Sequence, residues 1–294
     1  MLAGKKAQKV REFVIEKMVA ASGIASIVIV ILIFIFLLRD GLALFKTVGI
    51  KDFLLGKFWY PISDPARFGI FPLILGSLVV TAGAALISVP IGIAAAIYIA
   101  EVSPSKIKEY LKAGVELLAA IPSVVLGFIG IVTLVPFAKK VFGLPTGLTA
   151  FSGSIMLAFM AMPTIVSIAE DALTAVPRSY REGALALGAT KWQTIYRVVV
   201  PSASSGIIAA VMLGIGRVIG ETMAVMMITG NAAVIPKSIF QPVRTLTATI
   251  AAEMGETVRG SEHYFALFAI GLVLFVITFA INIVADLYLH RVKK

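Results

Sequence analysis

The chain has no cysteine and only two histidines among its 294 residues. The absence of cysteine excludes disulfide bonds, thiolate metal sites and covalent haem attachment. With so few histidines, a histidine-based zinc site or catalytic dyad is disfavoured. The chain also lacks a Gly-x-x-x-x-Gly-Lys-Ser/Thr run, the loop with which many ATPases hold nucleotide phosphates. We therefore expect no metal, no cofactor and no enzymatic activity in this chain.

Charged residues are also scarce. They make up 14% of the chain, whereas 59% of the residues are apolar, and the mean hydropathy is +1.00. Because about a quarter of the residues in soluble domains are charged, this composition indicates an integral membrane protein. The formal net charge of +10 does not require a nucleic-acid partner, since lysines and arginines that flank and orient membrane spans explain it better.

Long windows with few or no charges divide the sequence. They cover residues 19–38, 68–100, 117–138, 141–169, 204–229 and 264–285. Each is long enough for a helix of roughly 20 residues to cross the lipid bilayer, and none shows the ~10-residue alternation of barrel strands. The sequence therefore predicts an all-α polytopic membrane protein with about six transmembrane helices.

The charges between these windows predict how the chain lies in an inner (cytoplasmic) cell membrane. Lysines and arginines are denser in both tails and in the loops after the second and fourth spans, which places those segments in the cytoplasm. No small-residue cleavage site follows the first apolar run, so we interpret that run as a span. The predicted segments are an N-terminal tail (1–18), a first span (19–38), an external loop (39–72), a transmembrane domain (73–289) with a cytoplasmic loop (173–201), and a C-terminal tail (290–294).

Two charged residues, Arg217 and Glu221, interrupt the fifth window. If 204–229 is a single helix, Arg217 lies near its midpoint, where an arginine costs at least about 2.5–3.5 kcal/mol and must face protein or water. At positions i and i+4 the two side chains would share a helix face and neutralise each other. One hypothesis is a structural ion pair. The other is an oxyanion site, in which the planar guanidinium binds the anion and Glu221 positions it.

Several other residues carry weaker expectations. Ser123 and Thr81 could line a polar pathway, although such hydroxyls in membrane helices usually bond a backbone carbonyl.

We expect a short polar loop over 101–114, and a third span that begins near Glu116. Helix packing is expected of Gly214, Gly216 and Gly220. Solvated or interfacial positions are expected for Glu101, Glu116, Glu170, Asp171, His263 and the aromatic residues Phe58, Trp59 and Tyr60.

The cytoplasmic loop has a pattern of its own. Pro177 is well placed to begin a short helix, and Gly188 can end that helix in a left-handed conformation. A second amphipathic stretch follows and runs to Pro201. These segments are either surface helices on the membrane or a docking element for a soluble cytoplasmic partner.

The same loop resembles the EAA loop of ABC importer permeases, whose pattern is Glu-Ala-Ala, three residues, Gly, nine residues, Ile-x-Leu-Pro. The matching positions are Glu182, Ala184, Gly188, Val198, Val200 and Pro201, while Gly183 replaces the first alanine and valine replaces Ile and Leu. The resemblance implies that this short helix inserts into a cleft of an ATP-binding subunit. Its contact residues would be Glu182, Gly183, Ala184 and Gly188.

Residues 116–130 and 213–231 narrow the resemblance to the permeases of the phosphate-specific importer. The run Glu-Thr-Met-Ala-Val from Glu221 is more similar to the PstC-type than to the PstA-type subunit. The resemblance implies a type I ABC importer permease fold and inward transport of inorganic phosphate through a site that contains Arg217 and Glu221. It also implies an ATP-binding subunit dimer that holds ATP and Mg²⁺, a second permease subunit of PstA type, and an external phosphate-binding protein.

Two alternatives stay open from the residues themselves. The same architecture could carry another oxyanion, such as phosphonate, sulfate or molybdate, because an arginine does not distinguish these anions. An ion-coupled anion transporter or channel could also use Arg217 as its selectivity charge. The docking pattern in the cytoplasmic loop argues against that alternative, since a stand-alone transporter needs no such helix.

Overall fold

The structure, a computed structural model, describes residues 2–292, and it describes the side chains of residues 12–284 and of Leu287. The predicted C-terminal tail (290–294) therefore lies partly outside the described residues, as do Met1 and the basic side chains of the N-terminal tail. The sidedness predicted for both tails stays a prediction.

Within these residues the chain folds into fourteen α-helices and one small antiparallel hairpin. The α-helices are α1 (Leu2–Ala43), α2 (Ile50–Leu55), α3 (Phe71–Ile97), α4 (Ser105–Ala120), α5 (Ser123–Ile129), α6 (Val135–Val141), α7 (Ala150–Thr174), α8 (Arg178–Ala186), α9 (Lys191–Thr194), α10 (Val200–Ser202), α11 (Ser204–Gly220), α12 (Met223–Ile228), α13 (Leu246–Glu253) and α14 (Glu262–Val292). The hairpin pairs β1 (Trp59–Tyr60) with β2 (Arg67–Phe68). Wider π-helical turns follow α3 at Tyr98–Val102, join α5 to α6 at Gly130–Leu134, and join α9 to α10 at Ile195–Val199.

The membrane-spanning segments confirm the predicted fold class. In the described part of the chain, five helical stretches are long and apolar enough to cross a membrane, namely Glu12–Lys46, Phe71–Val102, Ser123–Val141, Ala150–Thr174 and Glu262–Val284. A sixth is formed if Lys191–Ser202 and Ser204–Gly220, which are bent by 69° at Ala203, count as one span. The protein is thus an all-α polytopic membrane protein with five or six spans, and its strands are confined to the short hairpin.

The third span begins later than predicted. It was expected near Glu116, but α4 ends at Ala120 and the span starts at Ser123. Ile121 is extended (φ −68°, ψ 126°), because Pro122 disfavours helical geometry at the residue before it. The polar loop predicted over 101–114 is also wrong, since most of it belongs to α4, whose apolar residues recur at helical spacing.

The fourth span begins close to the position predicted from the sequence. Within the uncharged window 141–169 the span is predicted from about Ser152 to Ala169, and α7 starts at Ala150. Gly143, with φ of 60°, follows the end of α6, a conformation that glycine adopts without strain. Thr149 then caps α7, and its hydroxyl accepts a hydrogen bond from the Ser152 backbone N–H at 3.3 Å.

Glycines allow α3 and α11 to pack closely on α7. A Cβ at Gly92 of α3 would lie 2.9 Å from Ile165 of α7, and one at Gly214 of α11 would lie 2.5 Å from the same side chain. Ile165 is fully buried between the three helices. Gly214 therefore serves helix packing as predicted, whereas Gly216 and Gly220 face open space, with no atom of the described chain within 4 Å of a Cβ there.

The segment between α1 and α3 packs against residues that lie far from it in sequence. Trp59 is buried and its indole N–H donates to the Glu253 carboxylate at 3.1 Å. The imidazole of His263 lies 2.8 Å from the same carboxylate, and Arg244 forms an ion pair with it. Trp59 is therefore a core residue, and the interfacial position predicted for it is wrong, whereas His263 is half-buried in the first turn of α14 and its interfacial position stays a prediction. Neighbouring Tyr60 is exposed, as an interfacial residue would be.

The close packing around Ile165 yields a prediction about stability. Replacing Gly214 by valine should destabilise the protein by about 1–3 kcal/mol, because the new side chain overpacks a filled site. The midpoint of thermal unfolding in detergent should fall accordingly. Gly23→Val is the matched control, since Gly23 lies on the exposed face of α1 with nothing within 4 Å. Equal unfolding midpoints for the two variants would contradict the packing account.

Candidate functional site

Arg217 lies in the last turn of α11 and is exposed on the surface of this chain. Its Nη1 donates a hydrogen bond of 3.3 Å to the hydroxyl of Thr164 on α7. Val218, the next residue, is buried, so the helix is held by its other face. A cation in the last turn of a helix is also stabilised by the free carbonyl groups there. The guanidinium is thus positioned on rigid elements while its outer edge stays available to a ligand.

The helix that carries Arg217 is not continuous, and the single span predicted over 204–229 is wrong. Glu221 is extended (φ −69°, ψ 133°), and α12 begins only at Met223. Glu221 therefore lies outside the helix that carries Arg217, and the i, i+4 spacing no longer places the two side chains on one helix face. Within the described residues Arg217 and Glu221 form no ion pair, and each has its own hydrogen-bond partner.

Side chains satisfy the backbone groups that the break leaves open. The Glu221 carboxylate accepts a hydrogen bond from the Ala224 N–H at 3.2 Å and so caps α12. Thr247, at the start of α13, donates to the Glu221 carbonyl at 2.8 Å. Thr222 donates to the Gly220 carbonyl at 3.1 Å. Such partners are required where a helix is interrupted at membrane depth, because lipid supplies none.

Ser123 begins the helix that packs against α12. A Cβ at Gly127 of α5 would meet Ala224 of α12 at 3.2 Å, and one at Gly130 would meet Ile228 at 2.5 Å. Residue numbers rise together along the two helices, so α5 and α12 run parallel. Ser123 is the first residue of α5, and Met223 is the first residue of α12. No hydrogen bond between Ser123 and Arg217 is present among the described residues.

Thr81 is not brought to Arg217. It lines an apolar cavity of about 240 Å³ between α3, α11 and α14. The α11 residues in that cavity are Ile215 and Ile219, which lie on the opposite side of the helix from Arg217, since successive residues are about 100° apart. Thr164, by contrast, contacts Arg217 and was not singled out from the sequence. Its only local signal is a hydroxyl after Pro163 in an apolar window, which is too general to identify a site.

The helix predicted in the cytoplasmic loop is present with the predicted ends. Pro177 directly precedes α8. Gly188 has φ of 84°, and its N–H donates to the Leu185 carbonyl at 2.9 Å, which closes the helix end in the left-handed manner typical of glycine. The helix itself contains no buried residue.

The residues expected to contact a partner lie on this exposed helix. Glu182, Gly183 and Gly188 are exposed, and Ala184 is half-buried. No atom of the described chain lies within 4 Å of a Cβ at Gly183 or at Gly188. Leu187, an apolar residue at the end of the helix, is 91% exposed. An uncovered apolar side chain beside uncovered glycines is typical of a surface that another protein covers.

Sequence comparisons identify relatives of the whole chain. Residues 88–294 match the family described as "Binding-protein-dependent transport system inner membrane component". The chain is 43% identical over 263 residues to the probable ABC transporter permease protein YqgH of Bacillus subtilis (strain 168), covering 89% of this chain and 85% of that protein. It is 38% identical over 260 residues to the phosphate transport system permease protein PstC of Mesorhizobium japonicum, covering 82% and 79% of the two chains.

Solved structures share the fold at low sequence identity. A chain of a bacterial alginate ABC transporter superposes with a TM-score of 0.65 at 18% identity, covering 97% of this chain and 96% of that chain. An inward-facing MetNI methionine ABC transporter gives a TM-score of 0.60 at 20% identity, covering 76% and 98%. These findings confirm the resemblance seen in the cytoplasmic loop. The chain therefore belongs to the family of binding-protein-dependent transport system inner membrane components, as a multi-pass permease of the type I ABC importers and not itself a catalytic subunit.

Proposed function

We propose that this chain forms half of an inward pathway for inorganic phosphate, driven by ATP hydrolysis in a separate subunit. The observation that carries the proposal is the guanidinium of Arg217, which is exposed at a helix break in an otherwise apolar membrane bundle. Relatives named as phosphate transport permeases, at 38% and 36% identity, support phosphate as the cargo. The relative at 43% identity is named only as a permease.

The arrangement around Arg217 fits an anion that binds and leaves. The planar guanidinium presents two parallel N–H groups to two phosphate oxygens, while the Thr164 hydroxyl fixes its orientation from the other side. Because Glu221 does not neutralise Arg217, the positive charge is available to the anion. Ser123, at the start of the helix that packs against α12, would supply a further hydroxyl. The site therefore attracts phosphate with few groups and lets it go when the helices shift.

Glu221 has a second role that bears on the choice between oxyanions. Its carboxylate caps α12 through one oxygen, so the other oxygen can accept a hydrogen bond. Phosphate carries a proton at neutral pH and can donate it, whereas sulfate cannot. If this second oxygen reaches the anion that Arg217 binds, it favours a protonated oxyanion and repels one that has no proton. Phosphate satisfies this requirement, and so does a phosphonate, which remains the second candidate.

The remaining partners follow from the surfaces that this chain leaves uncovered. Leu213, Gly216 and Gly220 are exposed on the same side of α11 as Arg217, and a second permease of PstA type would cover that side and complete the pathway. An ATP-binding subunit dimer, which holds ATP and Mg²⁺, would dock on α8. An external phosphate-binding protein would deliver the cargo. ATP binding drives the cycle if the closed ATPase dimer prefers the outward-facing state.

An ion-coupled anion transporter would also use Arg217, but the exposed α8 helix argues against it. A stand-alone transporter gains nothing from a cytoplasmic helix that buries none of its own residues. Co-purification of this chain with an ATP-binding subunit supports the ABC importer, and a chain that transports anions without that subunit supports the alternative.

Replacing Arg217 by glutamine should abolish phosphate uptake. The neutral side chain keeps the hydrogen bond to Thr164 within reach but loses the charge that holds the anion, so uptake by proteoliposomes with all partner subunits should fall by at least about 100-fold, equivalent to ~2.7 kcal/mol. Arg217→Lys should retain part of the activity. Near-normal uptake by Arg217→Gln, or loss of the chain from the purified complex, would each contradict a role in substrate binding.

The two threonines give a matched comparison. Thr164→Val removes the hydroxyl that orients Arg217, and phosphate uptake should fall by about tenfold or more, with a higher KM, because a hydrogen bond to a charged group contributes about 1.5–3 kcal/mol. Thr81→Val makes the same chemical change on the wall of the apolar cavity and should leave uptake close to normal. Equal effects of the two substitutions on KM would remove Thr164 from the site.

Docking of the ATPase is tested on α8. Glu182→Lys reverses a charge on the exposed helix, and Gly188→Val places a β-branched residue at a positive φ, which strains the helix end by about 1 kcal/mol or more. Both variants should lose ATP-binding subunit during purification of the complex. Gly114→Val, at an open position of α4, is the control and should keep the normal subunit stoichiometry. Unchanged stoichiometry in the α8 variants would argue for a transporter that works alone.

A further inference from the structure

We propose that Arg181 is the joint through which movement of α8 reaches the transmembrane helices. This inference rests on the proposed docking of an ATP-binding subunit to α8. Docking residues on the exposed side of α8 can only drive transport if the helix is firmly attached to the membrane bundle. The side chain of Arg181 provides that attachment, and it does so at the ends of two different helices.

The guanidinium of Arg181 makes hydrogen bonds in three directions. Nε and Nη2 both donate to the carboxylate of Glu101, in the π-helical turn after α3, with Nε 3.2 Å from Oε1. Nη1 donates to the Val176 carbonyl at 2.6 Å. Nη2 also donates to the Leu173 carbonyl at 2.9 Å. One residue of α8 is thereby fastened both to the cytoplasmic end of α3 and to that of α7.

The acceptor that most needs Arg181 is the Glu101 carboxylate. Its side chain is only 9% exposed, so its charge requires compensation that water does not supply. The solvated position predicted for Glu101 is therefore wrong. The Leu173 carbonyl, near the end of α7, already accepts the Val176 N–H at 3.3 Å, and a cation placed there adds a favourable interaction with the helix dipole. Removing Arg181 would leave a desolvated carboxylate without its cation and would loosen α8 from the end of α3.

The contacts of α8 apart from Arg181 are weak. Its residues are exposed or half-buried, and it otherwise packs mainly on α9 and on the π-helical turn that follows. Those segments belong to the same cytoplasmic loop and continue into α11. A force on α8 would therefore reach α7 and α11 through the chain itself, whereas it reaches α3 through Arg181.

A neighbouring cluster ties α4 to the same place. Glu170 of α7 has a side chain only 3% exposed and pairs with Lys108 at 2.7 Å and with Lys112 at 2.9 Å. Lys112 also pairs with Asp171 at 2.8 Å. Hydrogen bonds to Asp171 and Glu170 raise the pKa of the Lys112 ammonium above its ordinary value, so it stays charged at physiological pH. The solvated position predicted for Glu170 is wrong.

The two clusters adjoin each other. Lys108 and Arg181 line one polar cavity of about 390 Å³. Ion pairs therefore join α4 to α7, α3 packs along α7, and Arg181 is the side chain that connects α8 to the end of α3 in this unit. This geometry predicts that α8 and α3 keep a fixed separation while the ATPase opens and closes, so that the unit moves as a whole.

The shape of the side chain matters as much as its charge. Arginine presents five N–H donors in a planar fork, which allows one side chain to serve a carboxylate and two carbonyl groups at once. A lysine at this position keeps the charge but reaches fewer of these acceptors. Arg181→Lys should therefore weaken the joint, and Arg181→Gln should break it.

The first test uses the complete complex of permease, ATPase and binding protein. Arg181→Gln should keep the normal subunit stoichiometry and basal ATP hydrolysis, while stimulation of hydrolysis by loaded binding protein falls at least tenfold, with Arg181→Lys in between. Arg178→Gln is the control, because Arg178 is exposed on the same helix and forms no ion pair among the described residues. Retained stimulation in Arg181→Gln, or loss of ATPase from that complex, would overturn the proposal.

The second test does not depend on the cargo. Because the chain has no native cysteine, spin labels can be attached to Ser179→Cys on α8 and Val102→Cys after α3, both exposed positions. The distribution of distances between the labels should be narrow, with the same mean in the nucleotide-free and ATP-trapped complexes. Arg181→Gln should broaden this distribution. A distance that Arg181→Gln leaves unchanged would overturn the joint. If the unmodified chain instead purifies without an ATPase, the proposed function itself fails.

Discussion

Backbone hydrogen bonding at membrane depth is the constraint on which the rest of this structure depends. Lipid offers no partner to a free N–H or carbonyl group, so each span must be helical or must find side chains that replace the missing bonds. The break between α11 and α12 satisfies this requirement through Glu221, Thr222 and Thr247. Three side chains thus stabilise the interruption of the helix. It sets the Arg217 guanidinium at the end of a helix, where an anion can reach it.

Charges in this protein fall into two groups with different consequences. At the ends of the spans nearest α8, Glu101 and Glu170 are desolvated and paired with cations on other helices, which holds the helix ends together. Arg217 has a hydroxyl and no carboxylate as its partner among the described residues. Paired charges stabilise one arrangement of helices, whereas an unpaired cation has affinity left for a ligand. This difference separates the structural charges from the candidate transport site, and the sequence alone shows neither pairing.

Part of the fold and part of the site could be predicted from the sequence. Hydropathy gave the number of spans, because crossing a bilayer depends on the apolar character of about twenty consecutive residues. Pro177 and Gly188 gave both ends of α8, because their backbone preferences are properties of the residues themselves. The turn before Ser123 escaped this reasoning. Ile121 and Pro122 are apolar but not helical, and hydropathy does not distinguish an apolar turn from an apolar helix.

The sequence by itself determined a multi-pass helical protein with a short helix, α8, between two spans and one cation within an apolar window. Only the tertiary structure decided which side chains meet. Arg217 contacts Thr164, 53 residues away, rather than Glu221 at the distance of one helical turn. Arg181 contacts Glu101, 80 residues away. The physical reason is that apolar length and turn preference act locally along the chain, while the partner of a charge depends on how whole helices pack, which nearby residues do not specify.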